Sequence, residues 1–298
     1  MTRYGVPYKG SKATIALWIV ENLPRAETLV DLFAGGCAVT HAAMVSGKFE
    51  RFIINDLMDT PKVFEAAIRG ELDGMNTVLT REEFKACDDD ALRLMYSFGN
   101  NRGSYLWSKE LEPVKVEASK MLASHSMHER RMHYRAFMRN LRAYIENNEA
   151  MPDDARHDGS LQRLESLERL ESLQSLQSLQ SLESLERLER DYRLVGIPSN
   201  STVYADPPYR GTDCKAYGDD GTNFDFAAFD TWLANVPCMV VVSEYTAPDG
   251  CVEVASRVKT VTSAATVTKK AVERLFVHEK WLDVYRERMA VGETASLF

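Results

Sequence analysis

The chain has 298 residues, 45% of them hydrophobic, which is enough for one large core and a smaller inserted or appended unit. No signal-peptide pattern and no run of about eighteen apolar residues is present, so we expect a cytoplasmic protein without a membrane segment. The formal charge of −8 argues against a nucleic-acid partner unless basic residues cluster, and the five cysteines, without a C-x-x-C pair, argue against disulfides or a bound metal.

The N-terminal part of the chain alternates helix and strand patterns. An amphipathic helix is predicted between Ser11 and Pro24, and apolar strands are predicted over residues 28–33 and 49–54. The second strand ends at Asp56, about twenty residues after the Gly35-Gly36 turn, where a carboxylate can accept hydrogen bonds from ribose hydroxyls. This spacing favours a nucleoside-bearing cofactor, although a Gly-Gly turn also serves simply to let a helix pack close to a sheet.

Residues 60 to 149 change to helical patterns with charged faces, which predicts an inserted helical domain. Four arginines, spaced four, four and three residues apart, share one face of a helix: Arg131, Arg135, Arg139 and Arg142. Four other residues are expected on its opposite, core-facing side: Tyr134, Phe137, Met138 and Leu141. The arginines are either an ordinary solvated face or a DNA contact, and their concentration in an acidic chain favours DNA. Asn100 and Arg102, in a preceding glycine-containing loop, are further candidates for DNA contact.

Leucine recurs at every third position over Leu161–Leu188, separated by Glu-Ser, Gln-Ser and Glu-Arg pairs. On an α-helix this spacing spreads leucines around the rod, on a strand it alternates faces, and only a 3₁₀ helix aligns them. We expect a helical or partly disordered low-complexity insert without a catalytic role, with self-association through the leucines as the alternative.

The Asp206-Pro207-Pro208-Tyr209 stretch is the most informative motif in the chain. It follows a predicted strand, and the prolines must end that strand because they cannot continue its hydrogen-bonded ladder. The Asp206 carboxylate and the Pro207 carbonyl are then two acceptors in one crevice, matched to the two N–H donors of an exocyclic amine. Tyr209 is predicted to expose its ring as a stacking surface for a flipped base. A proline-rich turn without function is the bland alternative.

Together with Lys-Gly-Ser-Lys at residues 9–12 and Asp-Leu-Phe-Ala-Gly-Gly at residues 31–36, this motif resembles the DNA adenine methyltransferases of the alpha arrangement. The resemblance spans nearly the whole chain. It implies an α/β, Rossmann-like fold with a seven-stranded mixed sheet, S-adenosylmethionine as cofactor, double-stranded DNA as substrate, and an inserted helical target-recognition domain. We expect cofactor and catalytic halves at residues 1–58 and 191–298, the recognition domain at 59–150 and the leucine segment at 151–190.

The resemblance also implies roles for individual residues. The expected cofactor-binding residues are Tyr8, Gly10, Lys12, Asp31, Phe33, Gly35, Asp56 and Asp206, and the expected catalytic residues are Asp206, Pro207, Pro208 and Tyr209. Cys37 stands where many members have another glycine.

Alternatives to DNA adenine methylation are methylation of RNA adenine or of a cytosine amino group, and a non-catalytic DNA-binding module on the same fold. The C-terminal residues 294–298 resemble a sliding-clamp peptide, with Leu297 and Phe298 as a weak apolar anchor and an inert tail as the alternative.

Overall fold

The computed structural model describes residues 4–6, 10–69, 71, 78–98, 102–124, 126–148, 184–211, 224–262 and 268–295. The chain divides into two compact units. The first comprises Met1–Gly5, Ser11–Glu65 and Leu179–Phe298, and the second comprises Val6–Gly10 and Ala66–Ser178. Within the described ranges, no helix combines the length and the apolar character needed to cross a lipid bilayer.

The described strands of the first unit form one seven-stranded sheet in the order β3-β2-β1-β4-β5-β7-β6. They are β1 Thr28–Asp31, β2 Arg51–Asn55, β3 Leu185–Leu188, β4 Ser201–Ala205, β5 Val240–Glu244, β6 Cys251–Thr262 and β7 Thr268–His278. Strands β1 to β5 run parallel to one another, whereas β7 is antiparallel to both β5 and β6. The predicted α/β class with a seven-stranded mixed sheet is confirmed.

The described α-helices number nine, and five of them fall in or begin in the first unit. Those five are α1 Ala16–Glu21, α2 Ala38–Ser46, α3 Thr60–Ile68, α8 Phe226–Asn235 and α9 Leu282–Ala295. The second unit contains α4 Arg81–Ala86, α5 Asp90–Met95, α6 Glu112–Ala123 and α7 Met127–Asn148. The helix α9 includes Thr294 and Ala295, the first two residues of the segment that resembles a sliding-clamp peptide; Leu297 and Phe298 lie outside the described residues.

The central strands β1, β4 and β5 are buried along almost their whole length because both faces of the sheet are covered. Successive residues of β1 belong to different cores: Leu29 packs with α1 and α2, while Val30 packs with α8 on the other face. In β4, Tyr204 joins the first core and Val203 the second. A doubly wound sheet therefore explains why these strands read as continuous hydrophobic runs rather than as alternating ones.

The end of the leucine repeat forms the strand β3, which corrects the expectation of a helical or low-complexity segment for these four residues. Leu185 is paired with Phe52 and packs against one core, whereas Leu188 packs against the other. A spacing of three places successive leucines on opposite faces of a strand, and a sheet covered on both faces accommodates each of them. The repeat before Ser184 lies outside the described residues.

The order of the strands places a crevice at the carboxyl ends of the parallel strands, which we call the carboxyl edge of the sheet. The chain passes from β1 to β2 on one side, whereas β4 lies on the other side of β1. In open α/β sheets, ligands bind outside the carboxyl ends of the strands at this reversal. Asp31 ends β1 and Asp206 follows β4 directly, so both carboxyl groups lie at this position.

Candidate active site

The Asp206 carboxylate forms an ion pair with Lys12. The Lys12 ammonium donates to both oxygens of Asp206, at 2.7 Å to Oδ1 and 2.6 Å to Oδ2. The Lys12 side chain is 6% exposed and that of Asp206 is 18% exposed, so this pair is largely removed from water. Sequence reasoning assigned the two residues to the same site but did not predict their contact.

Glu273, on β7, is a second carboxyl group close to this ion pair. Its side chain is fully buried, and its Oε1 lies 4.0 Å from the Lys12 Nζ. The same oxygen accepts hydrogen bonds from the hydroxyl groups of Tyr209 and Ser243. The sequence analysis gave Glu273 no role, because only the pairing of β7 with β5 brings it to the site.

Tyr209 is buried, so the prediction of an exposed ring is wrong. Its residue exposure is 9%, and its hydroxyl group donates to Glu273. The Lys12 ammonium lies 4.6 Å from the ring centroid, and the Tyr245 ring packs edge-on at 4.5 Å. Lys12 therefore contacts both groups that the sequence analysis assigned to binding an amine and a base.

Burial by itself lowers the pKa of Lys12, but the negative charges of Asp206 and Glu273 outweigh it, so that the pKa of Lys12 is raised. The ammonium is consequently charged at neutral pH. The positive charge of Lys12 thus lies between two carboxyl groups, those of Asp206 and Glu273. In an isolated salt bridge the ammonium would have one acceptor, whereas here Glu273 is a second one.

Asp31, at the end of β1, has one oxygen without a partner. Its Oδ2 accepts a hydrogen bond from the Thr40 hydroxyl at 2.8 Å, whereas Oδ1 is buried and has no hydrogen-bond partner among the described residues. Burial raises the pKa of Asp31 to about 7, and the nearby Asp206 and Asp56 charges add to that rise. A buried, unsatisfied carboxylate oxygen is costly, which suits a position that a polar ligand completes.

Asp56 shapes the glycine turn that follows β1. Its Oδ2 accepts from the Gly35 N–H at 2.7 Å, and its Oδ1 accepts from the Met58 N–H at 2.8 Å. Burial raises the pKa of Asp56, and these two backbone hydrogen bonds oppose the rise. Each carboxylate oxygen has a further lone pair, so the group can still accept from a ligand hydroxyl.

The N-terminal segment packs directly onto this turn. Gly5 has a φ of +74°, and its N–H donates to the His41 Nδ1 at 2.9 Å. A Cβ atom on Gly5 would lie 2.3 Å from the Gly36 carbonyl oxygen and 2.7 Å from the Ala38 backbone. The residue must therefore be glycine, a requirement that the sequence analysis missed because the two segments are thirty residues apart.

The carboxyl ends of the parallel strands carry several acidic side chains: Asp31, Asp56, Asp206 and Glu244. Burial raises the pKa of Glu244, as it does for Asp31 and Asp56, and each of these three groups is also affected by the charge of Asp206. This edge of the sheet therefore has a negative potential that favours a cationic ligand. Among the described residues, no group of three or more side chains is arranged to hold a metal ion.

Phe33 begins an aromatic wall beside the glycine turn. Its ring lies 5.2 Å from the Tyr192 ring and 5.8 Å from the Phe224 ring, measured between centroids. Phe33 is half-buried, which leaves part of its ring accessible. Tyr192 and Phe224 are far apart in sequence and were not predicted to join Phe33.

Several predicted residues belong to the second unit or lie outside the described residues. Tyr8 and Asn100 are not described, and Gly10 is exposed with a φ of +81°. Arg102 has a φ of +61°, and its guanidinium group lies 3.9 Å from Asp90.

The four predicted arginines lie on α7 and are all exposed. A shallow surface depression is lined by Tyr134, Arg135, Met138, Arg139, Arg142, Ala143 and Glu146. Tyr134 is 52% exposed and shares this depression with Arg135, Arg139 and Arg142, so its predicted core-facing position is wrong. The helix α7 is attached to α6 by a contact of 2.8 Å between His133 and Glu117 and by a hydrogen bond of 3.0 Å from Asn140 to the Pro113 carbonyl.

Comparison with known proteins gives one family. The family model described as D12 class N6 adenine-specific DNA methyltransferase matches residues 8–282. No curated protein matches the chain. The matched range includes Lys12, Asp31, Asp56, Asp206 and Glu273, and thus the whole site at the carboxyl edge of the sheet.

Proposed function

The chain belongs to the D12 class of N6 adenine-specific DNA methyltransferases, and from that premise we propose that it transfers a methyl group from S-adenosylmethionine to the N6 amine of an adenine rotated out of the DNA duplex. The resemblance drawn from the sequence is thereby confirmed at the level of the family. The observation that carries the finer proposal is the position of Asp206: a rigid, largely buried carboxylate at the strand reversal, beside the unsatisfied oxygen of Asp31.

The amine is held by Asp206 and by the Pro207 carbonyl. Each proline fixes its own φ and restricts the residue before it, so these acceptors keep their direction when the substrate enters. Because these two groups accept hydrogen bonds from the N–H groups of the amine, they increase the electron density on its nitrogen. They also stabilise the positive charge that develops there. Transfer would form a C–N bond to the amine and break the methyl–sulfur bond of S-adenosylmethionine, with S-adenosylhomocysteine as the leaving group. The nitrogen would lose one proton, for which the Asp206 carboxylate is an acceptor.

Lys12 must move before this can happen. It donates to both oxygens of Asp206 and covers the Tyr209 ring, so the amine and the base compete with it for the same two groups. Glu273, at 4.0 Å, is a second acceptor that keeps the displaced ammonium paired. One side-chain movement would therefore free the carboxylate and one face of the ring for stacking.

The residues at the edge of the sheet fit S-adenosylmethionine. The cofactor supplies a methyl group that its sulfonium charge makes strongly electrophilic. We assign Asp31 and the turn at Gly35 to its methionine part, Asp56 to its ribose and Phe33 to its adenine ring. The buried oxygen of Asp31 would gain the partner that it lacks, and the negative potential of this edge complements the positive sulfonium.

Replacing Asp56 with alanine is expected to weaken S-adenosylmethionine binding by about 1.5 to 3 kcal/mol, because hydrogen bonds to a charged group are lost. Calorimetry measures this change. The turn at Gly35 also loses a partner, so the same variant should be titrated with an analogue that lacks the ribose hydroxyls. A direct ribose contact predicts a much smaller penalty for that analogue. An equal penalty for both ligands would assign Asp56 to the turn alone.

We assign recognition of double-stranded DNA to the helical part of the chain, with the arginines of α7 as phosphate contacts. Charge reversal of Arg135 and Arg139 is expected to weaken DNA binding and to lower the slope of log K against log salt by about one per lost contact. The matched control reverses Lys85 and Lys109, which are exposed in the same unit. If both double variants change the slope equally, the α7 arginines are solvated surface.

The activity itself is tested by incubating the protein with tritiated S-adenosylmethionine and unmethylated DNA, followed by mass spectrometry of the released nucleosides. We expect N6-methyladenine as the product. Methylation of cytosine, or of RNA in preference to DNA, would contradict the proposal. Sequencing of DNA from expressing cells that detects modified bases would then define the recognised sequence.

A further inference from the structure

The hairpin formed by β6 and β7 is longer than the strand on which it packs. β7 pairs with β5 from Val277 to Arg274, where Arg274 is opposite the last residue of β5, Glu244. The pairing of β6 with β7 continues beyond that point, from Arg257 opposite Glu273 to Thr262 opposite Thr268. We call these two stretches, residues 257–262 and 268–273, the hairpin arm. At about 3.3 Å per residue, the arm extends roughly 20 Å beyond β5.

The arm extends from the edge of the sheet that carries the candidate active site. β4 and β5 are parallel, so the end of β5 lies at the same edge as Asp206, which follows β4. Glu273, at the base of the arm, accepts the hydrogen bond from Tyr209. The strand geometry therefore places the rest of the arm outward from the residues assigned to the target base.

The charges of this stretch have one sign. From residue 254 to residue 272 the sequence contains four basic residues and no acidic one: Arg257, Lys259, Lys269 and Lys270. The whole chain has a formal charge of −8, so this concentration of positive charge runs against the average composition. The one acidic residue of the arm, Glu273, is fully buried at its base.

The register places three of the four basic positions on the face that Glu273 shares. Arg257 is opposite Glu273, Lys259 is two residues further along β6, and Lys269 is paired with Val261. Residues separated by two positions on a strand, and residues directly paired across strands, lie on the same face. The register therefore places three basic positions on one face of the arm, from Arg257, opposite Glu273, outward to Lys269.

Lysines on exposed strand edges also protect against unwanted strand pairing. Glutamate also serves that purpose, so edge protection by itself does not require charges of one sign. The uniform positive sign, at the edge of the sheet that must accept a polyanion, is explained by a phosphate partner and not by edge protection alone.

We propose that the hairpin arm binds the sugar-phosphate backbone of the DNA beside the target adenine. This inference rests on the proposed function, since it takes DNA as the substrate. The first unit would thus contribute a phosphate contact of its own, in addition to the one assigned to the arginines of α7. Such a contact positions the duplex without reading its sequence.

The test replaces Arg257, Lys259 and Lys269 with glutamine and measures DNA affinity across a salt series. We expect affinity to fall at least about tenfold, and the slope of log K against log salt to decrease by about two to three, because each neutralised contact releases about 0.9 fewer counterions. The matched control replaces Arg51, Lys62 and Arg286, which have the same total charge, lie in the same unit and form exposed ion pairs. It should change the slope by less than about 0.5.

A charge-conserving variant, R257K/K259R/K269R, separates charge from folding and should keep the wild-type slope. Equal slopes for the arm variant and the control variant would overturn the proposal, as would a loss of binding in the charge-conserving variant. If the triple glutamine variant does not fold, K269Q alone should lower the slope by about one, and an unchanged slope would again contradict the inference. DNA binding needs no catalysis, so failure of the wild type to form N6-methyladenine would count against the proposed reaction without deciding the role of the arm.

Discussion

Replacing Asp206 with asparagine is expected to lower methyl transfer to DNA by about 100-fold or more, since it removes the negative charge and one of the two carboxylate oxygens, and loss of one preorganised group from a transition-state site costs this much. The binding of S-adenosylmethionine should change little, because the carboxylate acts on the amine of the substrate. Asparagine is preferred to alanine because it keeps an oxygen near the buried Lys12 ammonium. Loss of the partner of a buried charge costs about 3 to 5 kcal/mol, which would confuse catalysis with stability.

Glu65→Gln is the matched control for Asp206→Asn. The Glu65 side chain has the same exposure as that of Asp206, 18%, and forms an ion pair of 2.7 Å with Arg187 in the same unit. We expect the control to retain methyl transfer within about threefold, since Glu65 is not among the groups assigned to the cofactor or the amine, glutamine keeps an oxygen acceptor, and Arg187 keeps Glu189 as a second partner. Single-turnover transfer of tritiated methyl groups measures both variants. An Asp206→Asn enzyme with activity within a few-fold of wild type would remove Asp206 from the chemistry.

Replacing Gly5 with alanine is expected to lower the free energy of unfolding by about 2 to 5 kcal/mol, the sum of overpacking and of a left-handed conformation for a non-glycine residue. The new Cβ would meet the Gly36 carbonyl oxygen at 2.3 Å and the Ala38 backbone at 2.7 Å. These atoms belong to the turn assigned to the cofactor. Any shift that relieves the contact should therefore also weaken S-adenosylmethionine binding, by at least about tenfold.

Gly47→Ala isolates the conformational part of this effect. Gly47 has a φ of +63°, and a Cβ atom there would meet nothing within 4 Å. We expect it to lose about 1 to 2 kcal/mol, with unchanged cofactor binding. Denaturant unfolding and calorimetry measure both variants. If Gly5→Ala is no more destabilising than Gly47→Ala, the packing of the N-terminal segment against the turn is not a constraint on this fold.

The sequence predicted the class of the fold because local patterns and global architecture agree. Strands β1 and β2 were predicted within two residues at each end, and β4 was placed directly before Asp206, since a strand buried on both faces is largely apolar and prolines or glycines mark where it ends. The strand β3 was missed because a leucine at every third position has neither the helical nor the strand period.

For the candidate site, the sequence by itself determined which chemical groups are present: a carboxylate held by two prolines, a glycine turn, and acids at the ends of strands. Motif residues are adjacent in the chain, so their spacing carries this information. The tertiary structure alone decided how those groups are paired. Lys12 and Asp206 are 194 residues apart, Tyr209 and Glu273 are 64 apart, and Gly5 meets a turn thirty residues away. These contacts arise from the order of the strands in the sheet and from the folding of the N-terminal segment onto that sheet. No local sequence pattern specifies the strand order or this docking, because both depend on packing across the whole core.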